Sequence, residues 1–172
     1  MSNDNQDNNE HDSNAKDGEN PGVILPPPLI LLAFLVTGAI LQFLVPVTFL
    51  APFAWWNSQF LLGSAISLAA FGLAIWGVRI FSAAGTNVAT HKAALKVVKG
   101  GPYRFTRNPM YMGMQLLLIG VGIMFSAEWN LILWPLFFAI LKYGVVLREE
   151  RYMRNKFGDE YIDLLKRTRR WL

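Results

Sequence analysis

The chain has 172 residues, of which 53% are hydrophobic, 13% aromatic and only 16% charged, against about 25% charged in an average soluble domain. That balance excludes an ordinary water-soluble globule and an intrinsically disordered chain. There is no cysteine, which removes disulfides, thiolate nucleophiles and thiolate metal sites; two histidines, one of them in a polar tail, argue against a histidine-built metal centre, and no metal is expected.

The charge is unevenly placed. Residues 1–20 hold six acidic side chains against Lys16, a net charge of −5, and the remaining 152 residues hold fifteen basic against six acidic, a net charge of +9. With almost nothing apolar to bury, residues 1–28 are expected to form a disordered acidic tail, closed by the stiff Pro26-Pro27-Pro28. The tail is no secretory signal, because it is acidic where a basic segment is required. Residues 29–172 are expected to form one domain.

Four apolar segments follow, predicting an all-α integral membrane bundle with a cytoplasmic C-terminal helical extension. The first, 29–50, carries no charge over a length sufficient for the roughly 30 Å hydrocarbon core. Pro46 should kink or terminate it. The second runs over about 60–80, the third over 109–127 and the fourth over 129–147, interrupted only by Lys142. Gly63, Gly72, Gly77, Gly120 and Gly122 suit close helix packing. The connections 51–59 and 126–130 lack basic residues, whereas 80–108 and 148–172 are rich in Lys and Arg. The positive-inside rule therefore places both termini and the long middle connection in the cytoplasm, with Trp55, Trp56, Trp129 and Trp134 at the opposite interface.

Two polar stretches carry what chemistry the sequence offers. The first is Gly100-Gly101-Pro102-Tyr103-Arg104-Phe105-Thr106-Arg107-Asn108-Pro109-Met110-Tyr111-Met112-Gly113. Gly-Gly-Pro is a turn signal, and Asn108 before Pro109 suits a helix cap. The helix N-terminus, with mobile Arg104 and Arg107 beside it, suits a carboxylate or a phosphate; alternatively, the arginines only set topology and contact headgroups. The second stretch begins Arg148-Glu149-Glu150-Arg151. Acidic residues at a membrane helix end need a task or a partner; the alternative is an ion-pair lattice with neighbouring arginines. Beyond it, Gly158 should break the helix and Asp159 cap a second piece, while Lys166-Arg167-Thr168-Arg169-Arg170-Trp171 suits an interfacial anchor for anionic lipid. Lys142 is expected to snorkel to the interface, with a substrate contact as the alternative, and His91 is taken as a surface residue. No nucleotide-binding glycine motif and no metalloprotease motif occur, and no nucleic-acid partner is expected.

Gly101-Pro102-Tyr103-Arg104 followed by Arg107-Asn108-Pro109-Met110-Tyr111-Met112-Gly113 resembles the first signature of the membrane-embedded isoprenylcysteine carboxyl methyltransferases and phospholipid N-methyltransferases. Glu149-Glu150 and Phe157-Gly158-Asp159-Glu160-Tyr161 resemble the second, and Ala84-Gly85-Thr86-Asn87-Val88 is similar to a stretch of bacterial members. The resemblance covers about 80–172. It implies S-adenosylmethionine as cofactor, with contacts falling on Val97, Val98, Tyr103, Arg104, Arg107, Asn108, Pro109, Met110, Tyr111 and Glu149. Lys142, Arg148 and Glu150 are candidate substrate contacts, no catalytic residue is assigned, and the helical spacing turns Glu150 away from the cofactor. A substrate-carboxylate arginine of the prenylcysteine enzymes aligns with Val145, which counts against a prenylcysteine acceptor. Lys142, three residues earlier, is expected on the same helix face. The implied activity is methyl transfer to a lipophilic acceptor at the cytoplasmic face of a membrane, the bacterial inner membrane by the resemblance, with membrane lipids as partners. The rival readings are a small transporter or scaffold and an NADPH-dependent sterol-reductase-like enzyme.

Overall fold

The computed structural model describes residues 25–85 and 95–171. The tail up to residue 24 and the segment 86–94, with Thr86-Asn87-Val88 and His91, lie outside the described residues. Among the described residues the regular elements are helices, joined by one isolated parallel bridge between Thr106 and Arg169.

Helix α1 is Pro27–Leu44. It begins on a proline whose fixed φ suits the first helical position, and it stops at Val45 because the residue before Pro46 is driven out of helical geometry. Pro46 thus terminates the helix, which is shorter than the predicted 29–50. Helix α2, Ser58–Ala83, starts where the Asn57 side chain accepts the backbone N–H of Phe60 at 2.7 Å. Helix α3 is Pro109–Met124 and helix α4 is Glu128–Leu141. A π-turn, Lys142–Val146, then leads without a break into α5, Leu147–Phe157. Gly158, at φ +50°, redirects the chain into α6, Asp159–Arg167. Asp159 is therefore the first residue of α6, favoured by the helix dipole rather than acting as its cap.

Three helical stretches are long and apolar enough to cross a membrane: α1, α2 and the continuous Glu128–Phe157. Exposed Leu32, Val36, Leu61, Leu68, Phe71 and Ile75 along α1 and α2 form the apolar surface such a chain turns to lipid. At sixteen residues α3 is shorter, about 24 Å at 1.5 Å per residue. It sits among the other helices, with none of residues 109–124 exposed.

The contact between α2 and α3 is built from small residues. A Cβ on Gly63 would lie 2.4 Å from the Met124 nitrogen, one on Gly120 would lie 2.5 Å from Ser67 Oγ, and one on Gly113 would lie 2.9 Å from the Ala70 carbonyl. Backbone meets backbone here, which is how helices gain contact in a solvent as apolar as their side chains. Gly122 packs on the Leu131 and Asn130 side chains and Gly38 on Asn130, whereas Gly72 faces open space and plays no part in packing. The opposite face of α3 joins α1 and α4 in a core of Leu31, Tyr111, Leu118, Phe137, Leu141, Val145 and Val146. At the far end from the signature, a polar layer ties the turns: Gln59 donates to the Ile123 carbonyl and Ser126 Oγ, Trp129 Nε1 donates to the Val45 carbonyl, and Glu128 accepts the Leu50 N–H.

This packing predicts a contrast between two glycines of one helix. Gly63→Ala should destabilise the protein by about 1–3 kcal/mol through overpacking against backbone. Gly72→Ala should leave thermal unfolding in detergent unchanged or raise it by about 0.5–1 kcal/mol through helix propensity.

Candidate functional site

The two polar stretches meet because each follows a sharp local feature. Gly101, at φ +55°, opens a single 3-10 turn, Gly101–Arg104, that lies directly on Ile80 and Trp76 of α2. The turn carries Tyr103 inward to 4% exposure, with its ring 5.2 Å from Phe81. Two residues into α3, the buried Tyr111 comes next. From the other side, α4 and the π-turn deliver Glu149 and Glu150.

The Tyr111 hydroxyl donates to Glu149 Oε1 at 2.7 Å. The Tyr103 hydroxyl is buried without a partner, close to Gly77 on α2. Burial first, and then the charge of Glu149, holds the Tyr103 phenol well above its ordinary range, so it remains a proton donor at any physiological pH. Glu149 is partly exposed and makes no ion pair among the described residues. Among the described residues the site thus contains a carboxylate without a counter-ion, a phenol donor without a partner and an aromatic wall, next to Met110 and the fully buried Pro109.

Glu150 has another assignment. Its oxygens accept from Arg170 Nε at 2.9 Å and Nη2 at 2.7 Å, and from Arg107 Nε and Nη2 at 3.4 and 3.3 Å. Arg107 also donates to the carbonyls of Leu165 and Thr168, and its own N–H to that of Arg169. Thr106 Oγ1 and Asn108 Nδ2 both donate to the Arg170 carbonyl, at 3.1 and 3.0 Å. Trp171 then packs on Phe138, ring centroids 5.2 Å apart. The final residues are a strap sewn across the signature loop.

Four expectations change accordingly. Arg107 is fixed by a carboxylate and three carbonyls of its own chain, so it is not mobile charge. Asn108 occupies the cap position of α3, but its side chain makes no cap bond; it holds the strap. Arg170 and Trp171 turn inward instead of anchoring the surface. Lys142 and Val145 do not share a face: the π-turn winds more residues into each turn than an α-helix, so residues three apart no longer stack. Val145 is 1% exposed in the core, while Lys142 Nζ stands 5.1 Å from the Tyr143 ring centroid.

The remaining candidates are more scattered. Val98 is buried and Val97 half-buried in the segment that precedes the 3-10 turn. Arg148 is exposed. Arg104 is exposed on a separate open cavity of about 460 Å³, lined also by Lys99, Glu160, Asp163, Leu164, Arg167 and Thr168. Buried polar residues that the sequence reading missed include Asn130, whose Oδ1 has no partner, and Gln115 in α3, whose Nε2 has none. The available signal was a lone carboxamide in an apolar span, four residues after Tyr111 and hence on the same helix face.

A family model described as phospholipid methyltransferase matches residues 58–160. The chain belongs to that family. It is therefore a membrane methyltransferase. No curated protein and no solved structure matches it significantly. The region matched by the phospholipid methyltransferase model begins at the first residue of α2 and ends within α6, taking in both tyrosines and both glutamates. Helix α1 and the strap fall outside it.

The Glu150 clasp supports a stability prediction. Glu150→Ala leaves Arg107, only 11% exposed in its side chain, without its carboxylate, and should cost about 3–5 kcal/mol. The more exposed Arg170 should contribute little of this. Thermal unfolding in detergent measures the loss, and trypsin should cleave the released strap first.

Proposed function

We propose that this methyltransferase uses S-adenosylmethionine and methylates the headgroup amine of a phospholipid at the cytoplasmic face of the membrane. The observation that carries the reading is the pairing of a partnerless buried phenol, Tyr103, with a carboxylate that lacks a counter-ion, Glu149. S-adenosylmethionine offers groups that fit this donor set: an ammonium and ribose hydroxyls for Glu149, an oxygen or ring nitrogen for the Tyr103 hydroxyl, and an adenine for the aromatic and aliphatic wall. When bound, it would supply an electrophilic methyl group on a sulfonium for transfer to the acceptor amine. Tyr111 fixes the Glu149 carboxylate, so positioning can provide the rate without a protein nucleophile.

The acceptor assignment draws on the family description and on Val145. A carboxylate acceptor needs a fixed cation when it is desolvated. Val145 is core, and the Lys142 ammonium is held over the Tyr143 and Phe138 rings. An amine acceptor needs no such partner. The rival transporter reading would call for ionisable residues along the spans, and Lys142 is the principal one.

Binding of S-adenosylmethionine by calorimetry tests the site. Glu149→Gln should weaken affinity by about 1.5–3 kcal/mol, the size of a hydrogen bond to a charged group. Tyr103→Phe should weaken it while leaving unfolding unchanged or slightly favourable, because the hydroxyl has no internal partner. Affinities equal to wild type in both variants would remove the cofactor from this pocket.

The orientation follows from the one-sided lysines and arginines, and the likeness of Asn108 and Ala84-Gly85 to bacterial members suggests the bacterial inner membrane. The absence of cysteine allows single-cysteine labelling. A cysteine at Ser58 should react with an impermeant thiol reagent from outside, and one at Lys96 should not; the opposite pattern would invert the topology.

A further inference from the structure

Gln115 lies on the face of α3 that looks away from α2. Gly113 and Gly120 contact α2, whereas Tyr111, Leu118 and Gly122 face the seam between α1 and α4. Gln115, four residues beyond Tyr111, shares that face one helical turn deeper, about 6 Å along the axis. It is 8% exposed, its Nε2 has no hydrogen-bond partner, and the Tyr111, Leu118 and Phe137 core lies on its side of the helix. A buried amide donor among hydrocarbon is costly unless something supplies an acceptor. None of the described residues does so. Along the same seam, Tyr111 points to Glu149 at the signature end.

A phospholipid whose headgroup amine lies at the level of Glu149 carries its glycerol ester carbonyls beyond the phosphate, deeper along the seam toward Gln115. Resting on the amine-lipid reading above, we propose that the Gln115 carboxamide donates a hydrogen bond to an acyl-ester carbonyl of the acceptor lipid. Gln115 is then a specificity contact that registers depth: with the carbonyl held, the amine is set at the level of Glu149. A lipid with ether links in place of esters offers a poorer acceptor at that point and binds less well.

The experiment compares diacyl phosphatidylethanolamine with its dialkyl ether analogue in detergent micelles, using methyl-labelled S-adenosylmethionine. Wild type should show a KM on the order of five- to tenfold lower for the diester, as befits one hydrogen bond, with kcat similar for the two. Gln115→Met, which keeps the volume and loses the donor, should bring the two KM values together by raising that of the diester, with cofactor affinity unchanged. Turnover of both lipids by wild type with equal KM, or a preference that survives in Gln115→Met, would overturn the contact while leaving the amine reading intact. No turnover of either lipid by wild type with the cofactor bound would overturn the amine reading and the contact with it. Should Gln115→Met fail to fold, the wild-type comparison decides by itself.

Discussion

The carboxylate of Glu150, gripped by two arginines, is the constraint on which the arrangement of the site depends. One oxygen pair brings together three remote parts of the chain: the start of α5, the loop before α3 and the last residues described. Because Glu150 and Glu149 are neighbours on one helix, locking the first also sets the rotation of the second. Glu149 is thereby delivered to Tyr111 without a cation of its own. A lone carboxylate, only partly exposed, would otherwise attract a guanidinium. The clasp engages Arg107 and Arg170 on Glu150.

The π-turn at Lys142–Val146 is the second device. Single π-turns inside α-helices are rare and are concentrated at functional sites. Here the turn marks the boundary between an apolar helix and a charged one, and it changes which residues look inward across that boundary. Val145 and Val146 are both buried on consecutive positions, closing the core just before the charged segment begins.

Much of this architecture is legible in the residues alone, for identifiable reasons. The helix start at Pro109, the stop before Pro46 and the break at Gly158 are dictated by backbone geometry that proline and glycine impose locally, whereas Pro27, expected in the extended end of the tail, instead opens α1. The two tyrosines and two glutamates of the site sit in motifs whose spacing is itself informative. What spacing does not reveal is partner choice between distant segments. Nothing local distinguishes Arg107 and Arg170 from Arg104 and Arg169, yet the first two close on Glu150 and the others stay outside. Likewise, a π-turn leaves no clear mark in composition, so the expected common face of Lys142 and Val145 follows correctly from α-helical geometry and fails only because the helix is not α there. Gln115 is a different case, visible as an oddity in an apolar run but without meaning until its face is known.

The shortness of α3 matters beyond its place in the bundle. A helix that lipid touches must match the bilayer's hydrocarbon thickness, or tilt, or distort the membrane around it. No residue of α3 is exposed, and its ends meet the Gln59 and Ser126 layer on one side and the strap on the other. Protein covers much of its surface. Hydrophobic mismatch therefore acts mainly on α1, α2 and the long Glu128–Phe157 helix, and less on α3. A host membrane that thickens or thins with temperature or lipid supply would strain the outer helices and leave the Tyr111–Glu149 geometry nearly undisturbed.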